Sequence, residues 1–424
     1  MKNRFLLLLL FSVSILSAQK TYLHCGTIID VETGKLLREK TIVVSGNKIE
    51  AVEDGYTQGG AADMVVDLKQ KTVLPGFIDM HVHIEGQSSP TTYIERFTLN
   101  DVDVAFQSTV YAKNTLMAGF TTVRDLGGSG VNIALKKAIA KGTVVGPRIF
   151  TAGKAIGTTG GHADPTNGRR WDEMGDPGPK EGVVNSPEDG RKAVRQRYKD
   201  GADVIKITAT GGVLSVAKSG QNPQFRIEEI KAITETAKDY GMLTAAHAHG
   251  DEGMQRAIKG GIKTIEHGTL MSEKTMELMK QYNAYLVPTI TAGKEVTENA
   301  KKPGYFPAVV AKKASEIGPK IQSMFERAYK KGVPIAFGTD AGVFPHGENA
   351  REFVYMVEAG MPVMEALKSA TFTNAELLGM GDELGQLKAG FLADIIAVEG
   401  NPADNVEVLK NVVFVMKEGK VYKK

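Results

Sequence analysis

The chain has 424 residues, a formal net charge of +3 and a single cysteine. This length is sufficient for one large domain and one smaller domain. The small net charge argues against a nucleic-acid-binding protein, and one cysteine excludes intrachain disulfides and cysteine-rich metal sites.

Residues 1–18, MKNRFLLLLLFSVSILSA, have the pattern of a secretory signal peptide. Lys2 and Arg4 form a positively charged start, and Phe5 to Leu16 form an apolar segment too short to span a bilayer. We expect cleavage after Ala18 and no stable membrane anchor in the mature protein. Export of a chain without disulfides fits a bacterial periplasm. An uncleaved N-terminal membrane anchor is the alternative.

Residues 19–75 and 381–424 consist of short strand-like runs separated by turn residues. Examples are TIVVSGNKIEAVE near the start and GFLADIIAVEG near the end. Runs of this length, bounded by Gly, Asp and Asn, favour antiparallel β structure. If the middle of the chain brings its two ends together, these segments form one small composite β-sandwich, which is the arrangement we predict.

Residues 76–380 alternate apolar strand-like runs with helical patterns. Several helical segments, such as RIEEIKAITETAKDYG, end in Gly, which is favoured after the last turn of a helix. Eight strand–helix units predict an α/β protein with a (β/α)8 TIM barrel over these residues. The eight runs are GFIDMHVH, GFTTVRDLGG, GPRIFTAGKAI, ADVIKITATGG, LTAAHAHG, KTIEHGT, AYLVPTITAG and VPIAFGTDAG.

Side chains that bind metals cluster at the predicted carboxyl ends of these strands, where such barrels carry their active sites. His81 and His83 end the first run, and side chains two positions apart share one face of a strand. The chain has eight histidines, and five of them fall at three strand ends, which argues against a scatter of structural histidines. The pattern predicts a metal site built from His81, His83, Lys206, His247, His249, His267 and Asp340.

The residue types suit a divalent ion such as Zn²⁺, which binds neutral imidazole nitrogens and carboxylate oxygens. Lys206 is the unusual member, because a dication repels an ammonium group. Burial in an apolar strand favours loss of its proton, and a neutral amine can take up CO₂ to form an anionic carbamate that bridges two metals. A strand lysine paired with a carboxylate is the alternative.

In this set of motifs the sequence resembles the amidohydrolase superfamily. The similar branch contains bacterial prolidase-like and other metal-dependent dipeptidases, imidazolonepropionase-like proteins, and amidases that split aromatic amino-acid conjugates such as ochratoxin. The resemblance extends from GTIIDVETG to GQLKAGFLADIIAVEGNP, which is nearly the whole predicted mature chain.

The resemblance implies a binuclear site. A hydroxide between the metals would be the nucleophile, and Asp340 would accept its proton and pass it to the leaving amine. The metal identity is open among Zn²⁺, Co²⁺ and Mn²⁺, with Zn²⁺ as our expectation. The implied ligands are His81, His83, Lys206 carboxylated by CO₂, His247, His267 and Asp340.

Other residues are candidates for substrate contacts. His162, after the third strand, is expected to hydrogen-bond the scissile carbonyl or the oxyanion, with a structural loop histidine as the alternative. His249 either meets substrate or supports a ligand, and His346 is either a rim residue or a solvated loop histidine. Long loops also offer guanidinium groups that could grip a free carboxylate, or that are merely solvated, in Arg169, Arg170 and Arg226.

These observations predict an enzyme that cleaves an amide or peptide bond and releases a C-terminal amino acid. Its substrates would be dipeptides or N-acyl amino acids with a free carboxylate, including aromatic conjugates such as ochratoxin. The alternatives are an imidazolone or cyclic-amide hydrolase, a phosphotriester or lactone hydrolase, and a non-catalytic metal- or ligand-binding barrel. On the resemblance alone we also expect a homo-oligomer.

Overall fold

The computed structural model describes residues 19–170 and 172–424, so the predicted signal peptide, residues 1–18, lies outside the described residues. Within that part of the chain, no helix has the length and apolar character that a membrane span requires. The strands are β1 (Lys20–Asp30), β2 (Lys35–Ser45), β3 (Lys48–Asp54), β4 (Met64–Pro75), β5 (Phe77–Val82), β6 (Phe120–Asp125), β7 (Arg148–Thr151), β8 (Val204–Thr208), β9 (Leu243–Ala248), β10 (Thr264–His267), β11 (Tyr285–Val287), β12 (Ile395–Glu399), β13 (Val412–Lys417) and β14 (Lys420–Lys423).

The helices lie mainly between the central strands. The α-helices are α1 (Thr92–Thr98), α2 (Asp101–Met117), α3 (Val131–Ala140), α4 (Pro187–Asp200), α5 (Ile227–Asp239), α6 (Asp251–Lys259), α7 (Glu273–Gln281), α8 (Ile290–Asn299), α9 (Ala308–Ile317), α10 (Ile321–Lys330), α11 (Arg351–Glu358), α12 (Val363–Ser369) and α13 (Phe372–Leu377). Short 3₁₀ helices cover Gly318–Lys320 and Val406–Lys410. Local sequence explains the ends of α4: Ser186 accepts a hydrogen bond from the amide of Asp189, Pro187 opens the first turn, and Gly201 stops the helix at φ +102°.

Strands from both ends of the chain lie in one seven-stranded sheet, in the order β14-β13-β12-β4-β1-β2-β3. The central pair β1 and β4 is parallel, whereas every other pair is antiparallel. A bridge between Lys48 and Leu392 joins β3 to the segment before β12, so the sheet folds back on itself. Side chains from both chain ends share the apolar interior, among them Leu23, Ile42, Ile395 and Phe414.

The middle of the chain contains two parallel sheets, β5-β6-β7 and β11-β10-β9-β8. A parallel bridge between Ile156 and Ile207 links the segment after β7 to β8. Seven of the eight predicted runs therefore contain a strand, and helices separate them as the periodicity predicts. This order gives the α/β arrangement of a TIM barrel, although the hydrogen-bonded ladders are not continuous around it.

The eighth run, VPIAFGTDAG, forms single bridges instead of a strand. Ile335 pairs with Leu286 and Ala341 pairs with Val82, so the segment lies between β11 and β5. Two of its amides bond to those neighbours, that of Ala336 to Leu286 O and that of Asp340 to His81 O. The amide of Phe337 donates instead to Ser369 O, and that of Thr339 donates to the Asp79 carboxylate. The run is thus placed as a barrel strand would be, with part of its ladder replaced by other partners.

Candidate active site

One cavity of about 600 Å³ collects the polar side chains at the carboxyl ends of the central strands. His81 lies in β5, His83 directly follows that strand, and β8 supplies Lys206. The eight predicted residues that line this cavity are His81, His83, His162, Lys206, His247, His249, His267 and Asp340. Residues separated by up to 259 positions in sequence therefore meet in one place, as the strand-end argument predicts.

Two overlapping groups of these residues bring their donor atoms together. In the first group, the donor atoms of His247, His249 and His267 lie within 4.8 Å of one another. In the second, those of His81, His267 and Asp340 do the same. The ring centroids of His81 and His267 are 5.1 Å apart, and those of His247 and His267 are 4.7 Å apart. His267 therefore stands between the two groups.

Hydrogen bonds at the outer ring nitrogens fix three of the histidine tautomers. Nδ1–H of His81 donates to Glu266 Oε2 at 2.8 Å, and Nδ1–H of His83 donates to Gly127 O at 2.8 Å. Nε2–H of His247 donates to Gly211 O at 3.1 Å. Since one nitrogen of each ring donates, the other carries a lone pair, which is the form that binds a metal.

Burial keeps the imidazoles neutral. It lowers the pKa of His83 to about 4 and that of His249 to about 3. It also holds the pKa values of His81, His247 and His267 well below the ordinary range. Neutral imidazole is the ligand form, so no proton has to be displaced near neutral pH.

Asp340 provides the carboxylate of the cluster. Its backbone lies in the left-handed region at φ +62°, and its amide donates to His81 O at 2.7 Å. Its Oδ1 is 3.4 Å from Nε2 of both His81 and His83. Oδ1 and His81 Nε2 are both buried without a hydrogen-bond partner. A bound cation would satisfy both atoms, whereas leaving them unpaired is costly.

Lys206 is buried in β8, and no ion pair engages its Nζ within the described residues. Burial lowers the pKa of this lysine, against the opposing effect of the Glu266 and Asp340 carboxylates. Burial likewise raises the pKa of Asp340, against the effect of the Lys206 ammonium. The imidazole nitrogens, the carboxylate and an amine able to lose its proton together form a donor set that fits one or two divalent metal ions.

His162 lies over the cluster. Its ring stacks on that of His247, with centroids 4.3 Å apart and planes inclined by 27°. Its Nδ1 is buried without a partner, and burial holds its pKa well below the ordinary range. A Cβ at Gly212 would lie 2.2 Å from the His162 ring, so this position requires glycine. His162 is thus a neutral imidazole held against the cluster with one nitrogen free.

Four predicted substrate contacts are not brought to the cavity. Arg169 donates to Arg96 O at 2.6 Å, and Arg170 pairs with Asp172 in solvent. Arg226 only precedes α5, where its amide donates to Glu229. These residues, together with His346, are absent from the cavity lining. Loop position alone does not reveal the direction of a side chain.

The sequence leaves His346 open between a rim residue and a solvated loop histidine, and the structure places this side chain differently. It is buried, its ring stacks on Tyr111, and its Nε2 lies 2.9 Å from Gly86 O. Thr115 contacts its other ring nitrogen at 3.5 Å. The residue therefore packs the segment after the eighth run against α2, on the outside of the cavity.

The sequence argument missed Glu266, which orients His81. Its other oxygen accepts from Arg124 Nη2 at 2.9 Å and from Thr264 Oγ1 at 2.5 Å. Arg124 and Glu266 are both fully buried. The available signal was an acidic residue inside a four-residue buried strand, because such a charge needs a partner.

The cavity also contains a cation that the sequence argument did not single out. Lys154, which follows β7, lines the cavity, is half-buried, and makes no ion pair among the described residues. Much of the rest of the cavity lining is apolar. Its apolar members include Leu126, Val213, Leu214, Val296, Ile317, Ile321 and Val343.

Known proteins resemble this chain over nearly its full length. Ochratoxinase of Aspergillus niger is 32% identical over 431 residues, covering 96% of this chain and 87% of the relative. Its crystal structure superposes with a TM-score of 0.83 at 30% identity, covering 96% of each chain. The structure of a Xaa-Pro dipeptidase with methionine bound in its active site is 51% identical, with a TM-score of 0.93, and covers 96% of this chain and 100% of that one.

A prolidase complexed with N-methylphosphonate-L-proline is 32% identical with a TM-score of 0.88, covering 96% of this chain and 100% of the other. Residues 72–422 match the amidohydrolase family. This match spans most of the chain and includes every residue of the cavity cluster described above. The chain belongs to the amidohydrolase family.

Proposed function

We propose that the protein is a metal-dependent hydrolase that cleaves an amide or peptide bond and releases a C-terminal amino acid. The substrates are dipeptides or N-acyl amino acids with a free carboxylate. The observation that carries the proposal is the meeting of lone-pair imidazole nitrogens with an unpaired, buried Asp340 oxygen in one cavity.

The residues fit two divalent ions, and we propose Zn²⁺ as the native metal. The proposed ligands are His81, His83, Lys206 as its carbamate, His247, His267 and Asp340. When bound, such ions polarise the scissile carbonyl and lower the pKa of a water molecule toward neutrality. The ligand atom of His249 lies within 4.8 Å of those of His247 and His267, so His249 is either a further metal ligand or a residue that supports these two.

The chain's own residues supply proton transfer and orientation. We assign to Asp340 Oδ1 the movement of a proton from the attacking water to the leaving amine nitrogen. The atom is free of other hydrogen bonds and lies beside two imidazole nitrogens. An N–H of the neutral His162 ring donates to the carbonyl oxygen, where negative charge develops during attack.

The shape and charge of the cavity support a substrate of this class. A volume of about 600 Å³ lies within the usual range for small-molecule sites and accommodates a dipeptide. Its apolar wall suits an apolar acyl group or side chain. We propose that Lys154, instead of the loop arginines, receives the substrate carboxylate. The names of the similar proteins, Xaa-Pro dipeptidase, prolidase and ochratoxinase, agree with amide bonds next to an amino acid.

A pooled library of dipeptides and N-acyl amino acids tests the proposal. The protein is reconstituted with Zn²⁺ and bicarbonate, and released amino acids are measured by mass spectrometry, with D340N as the control. Release by wild type alone supports the proposal and ranks the side chains. No release from any library member at two bound metals per chain would refute it and direct the search to cyclic amides, lactones and phosphotriesters.

The role of Lys154 has a separate test. K154M is expected to raise KM at least about tenfold for substrates with a free carboxylate, because it removes a charge-assisted contact. C-terminal amides of the same compounds serve as the matched control and should be hydrolysed equally by both proteins. An equal effect on acids and amides would show that Lys154 is not the carboxylate anchor.

Three further parts of the prediction remain proposals. We propose that the two parallel sheets and the eighth run close into one barrel. We propose a division into a composite β domain of residues 19–75 and 381–424 and a barrel of residues 76–380. Signal-peptide cleavage and export to a periplasm are proposed from residues 1–18, and N-terminal sequencing of the mature protein in its host would test them.

A further inference from the structure

Two consecutive helices expose an unusual number of large apolar side chains. Among the described residues, twelve large hydrophobic side chains are exposed, and five of them lie in α1 and α2. Their exposed fractions are between 55% and 72%. They are Ile94, Phe97, Val102, Phe106 and Val110, which we call the α1–α2 face. Large apolar side chains exposed together on neighbouring helices are typical of interaction sites in folded proteins.

This face is separate from the surface by which the helices pack on the barrel. The buried side of α2 is formed by Ser108, Ala112, Thr115 and Leu116, and α1 buries none of its residues. On the exposed side of α2, Asp103, Phe106, Val110 and Lys113 follow one another at spacings of three, four and three. Residues at such spacings form one continuous stripe along a helix, as in a coiled-coil seam.

The stripe is complementary to itself. If a second α2 lies antiparallel across the first and the two-fold axis passes at the level of residue 108, Phe106 faces Val110 of the second copy. In the same register, Asp103 faces Lys113 of the second copy, and this happens twice by symmetry. Lys113 is exposed and has no ion pair among the described residues, while Asp103 uses only Oδ2 to accept from Asn100. The antiparallel helix dipoles also oppose each other favourably.

We propose that the α1–α2 face is a two-fold interface with a second copy of this chain. Five such side chains expose on the order of 500 Å² per copy, so two facing copies bury on the order of 1000 Å², which reaches the lower limit for a specific interface. A membrane surface suits the face less well. Glu95 neighbours Ile94 in α1 and Asp103 belongs to the exposed stripe of α2, and anionic lipids repel both carboxylates.

The interface lies beside the active-site cavity. Arg96 and Asp101 belong to the same helices and line the cavity. Tyr93 Oη also donates to Leu214 O at 2.7 Å, which ties α1 to the loop after β8. A second copy seated on this face would therefore hold in place a segment that forms part of the cavity wall.

Sedimentation equilibrium of the full mature protein tests the interface. Wild type is expected at an even multiple of the chain mass, and F106D at a lower multiple, with the dissociation constant raised at least about tenfold. Y282D is the matched control, because Tyr282 is exposed outside the face, and it should keep the wild-type mass. A monomeric wild type at micromolar concentration, or an F106D protein of unchanged mass, would overturn the proposal.

A charge exchange tests the register independently of apolar contacts. D103K and K113D each place like charges opposite each other and should weaken association, whereas the double variant D103K/K113D should restore it. Restoration supports the antiparallel register even though D103K also removes the hydrogen bond to Asn100. Failure of the double variant to regain mass, with circular dichroism unchanged, would refute this pairing. Binding of a monomeric wild type to phosphatidylcholine vesicles, lost in F106D, would assign the face to a membrane instead.

Discussion

Replacement of Glu266 by glutamine should affect stability and metal binding together. Glu266 accepts from His81 Nδ1 at 2.8 Å and from Arg124 Nη2 at 2.9 Å, and all three side chains are buried. E266Q removes the negative charge that offsets the Arg124 cation. Breaking a buried ion pair costs about 3–5 kcal/mol of unfolding free energy. Arg124 keeps its bonds to Met80 O and Thr264 Oγ1, so we expect the lower end, about 3 kcal/mol.

The second effect of E266Q acts through His81. The carboxylate fixes the tautomer that leaves Nε2 free and makes the ring a stronger ligand. Loss of such a partner usually weakens metal binding by about 10–100-fold, or about 1.4–2.8 kcal/mol. Urea unfolding in the presence of a chelator measures the first effect, and Zn²⁺ competition with a chromophoric chelator measures the second.

The matched control breaks a buried ion pair far from the cavity. Asp394 is buried and pairs with Arg148 at 2.9 Å. D394N should lower the unfolding free energy while leaving Zn²⁺ affinity within about twofold of wild type, because distant sites act independently. If E266Q destabilises the protein but binds Zn²⁺ as tightly as D394N does, Glu266 only balances Arg124 and the orientation argument is refuted.

Three other changes follow from single contacts. Lys313 Nζ donates to the carbonyls of Gly212, Ser215 and Ala217 in the loop after β8. K313M should therefore loosen this loop, increase its cleavage by protease and lower kcat/KM, with K312M as the exposed control. Unchanged proteolysis of K313M would contradict this. G212A places a methyl group 2.2 Å from the His162 ring and should lower kcat by about 10²–10⁴-fold. The control is G86A, whose methyl group meets no atom within 4 Å and should change kcat little. Equal activity of the two variants would exclude a catalytic role for His162. Cys25 is fully buried, and burial raises the pKa of its thiol to about 12, so a thiol reagent should modify it only after unfolding. The stability that comes from keeping this thiol protonated is complete below about pH 9 and declines as the pH rises toward 12. Rapid labelling of the native protein would contradict the burial.

The sequence predicted the site best where strand direction decides the position. His81, His83, His247 and His267 end strands, and a barrel brings all strand ends to one side, so their meeting needs no knowledge of loops. Arg169 and Arg170 lie on a long loop, where the side chain's direction depends on contacts such as that of Arg169 with Phe97. Those contacts form only in the folded chain.

Pairings between distant residues were also beyond the sequence. Glu266 meets His81 across 185 positions, and nothing local to either residue indicates the other. The parallel pairing of β1 with β4 likewise depends on the insertion of both ends of the chain into one sheet. For the eighth run, the alternation of strands and helices predicts its place in the barrel. The same alternation does not predict its hydrogen bonds to Asp79 and Ser369.

The seven-stranded sheet has a consequence for the order of folding during synthesis. Lys71 in β4 pairs with Glu399 in β12, and 328 positions separate the two. At a synthesis rate of about 5–20 residues per second, β12 is therefore synthesised on the order of 20–60 s after β4. During that time the edge of β4 offers unpaired backbone groups to any other nascent chain. The exposed Lys69 and Gln70 and the half-buried Lys71 place polar side chains along that unpaired edge, where they disfavour pairing with another chain.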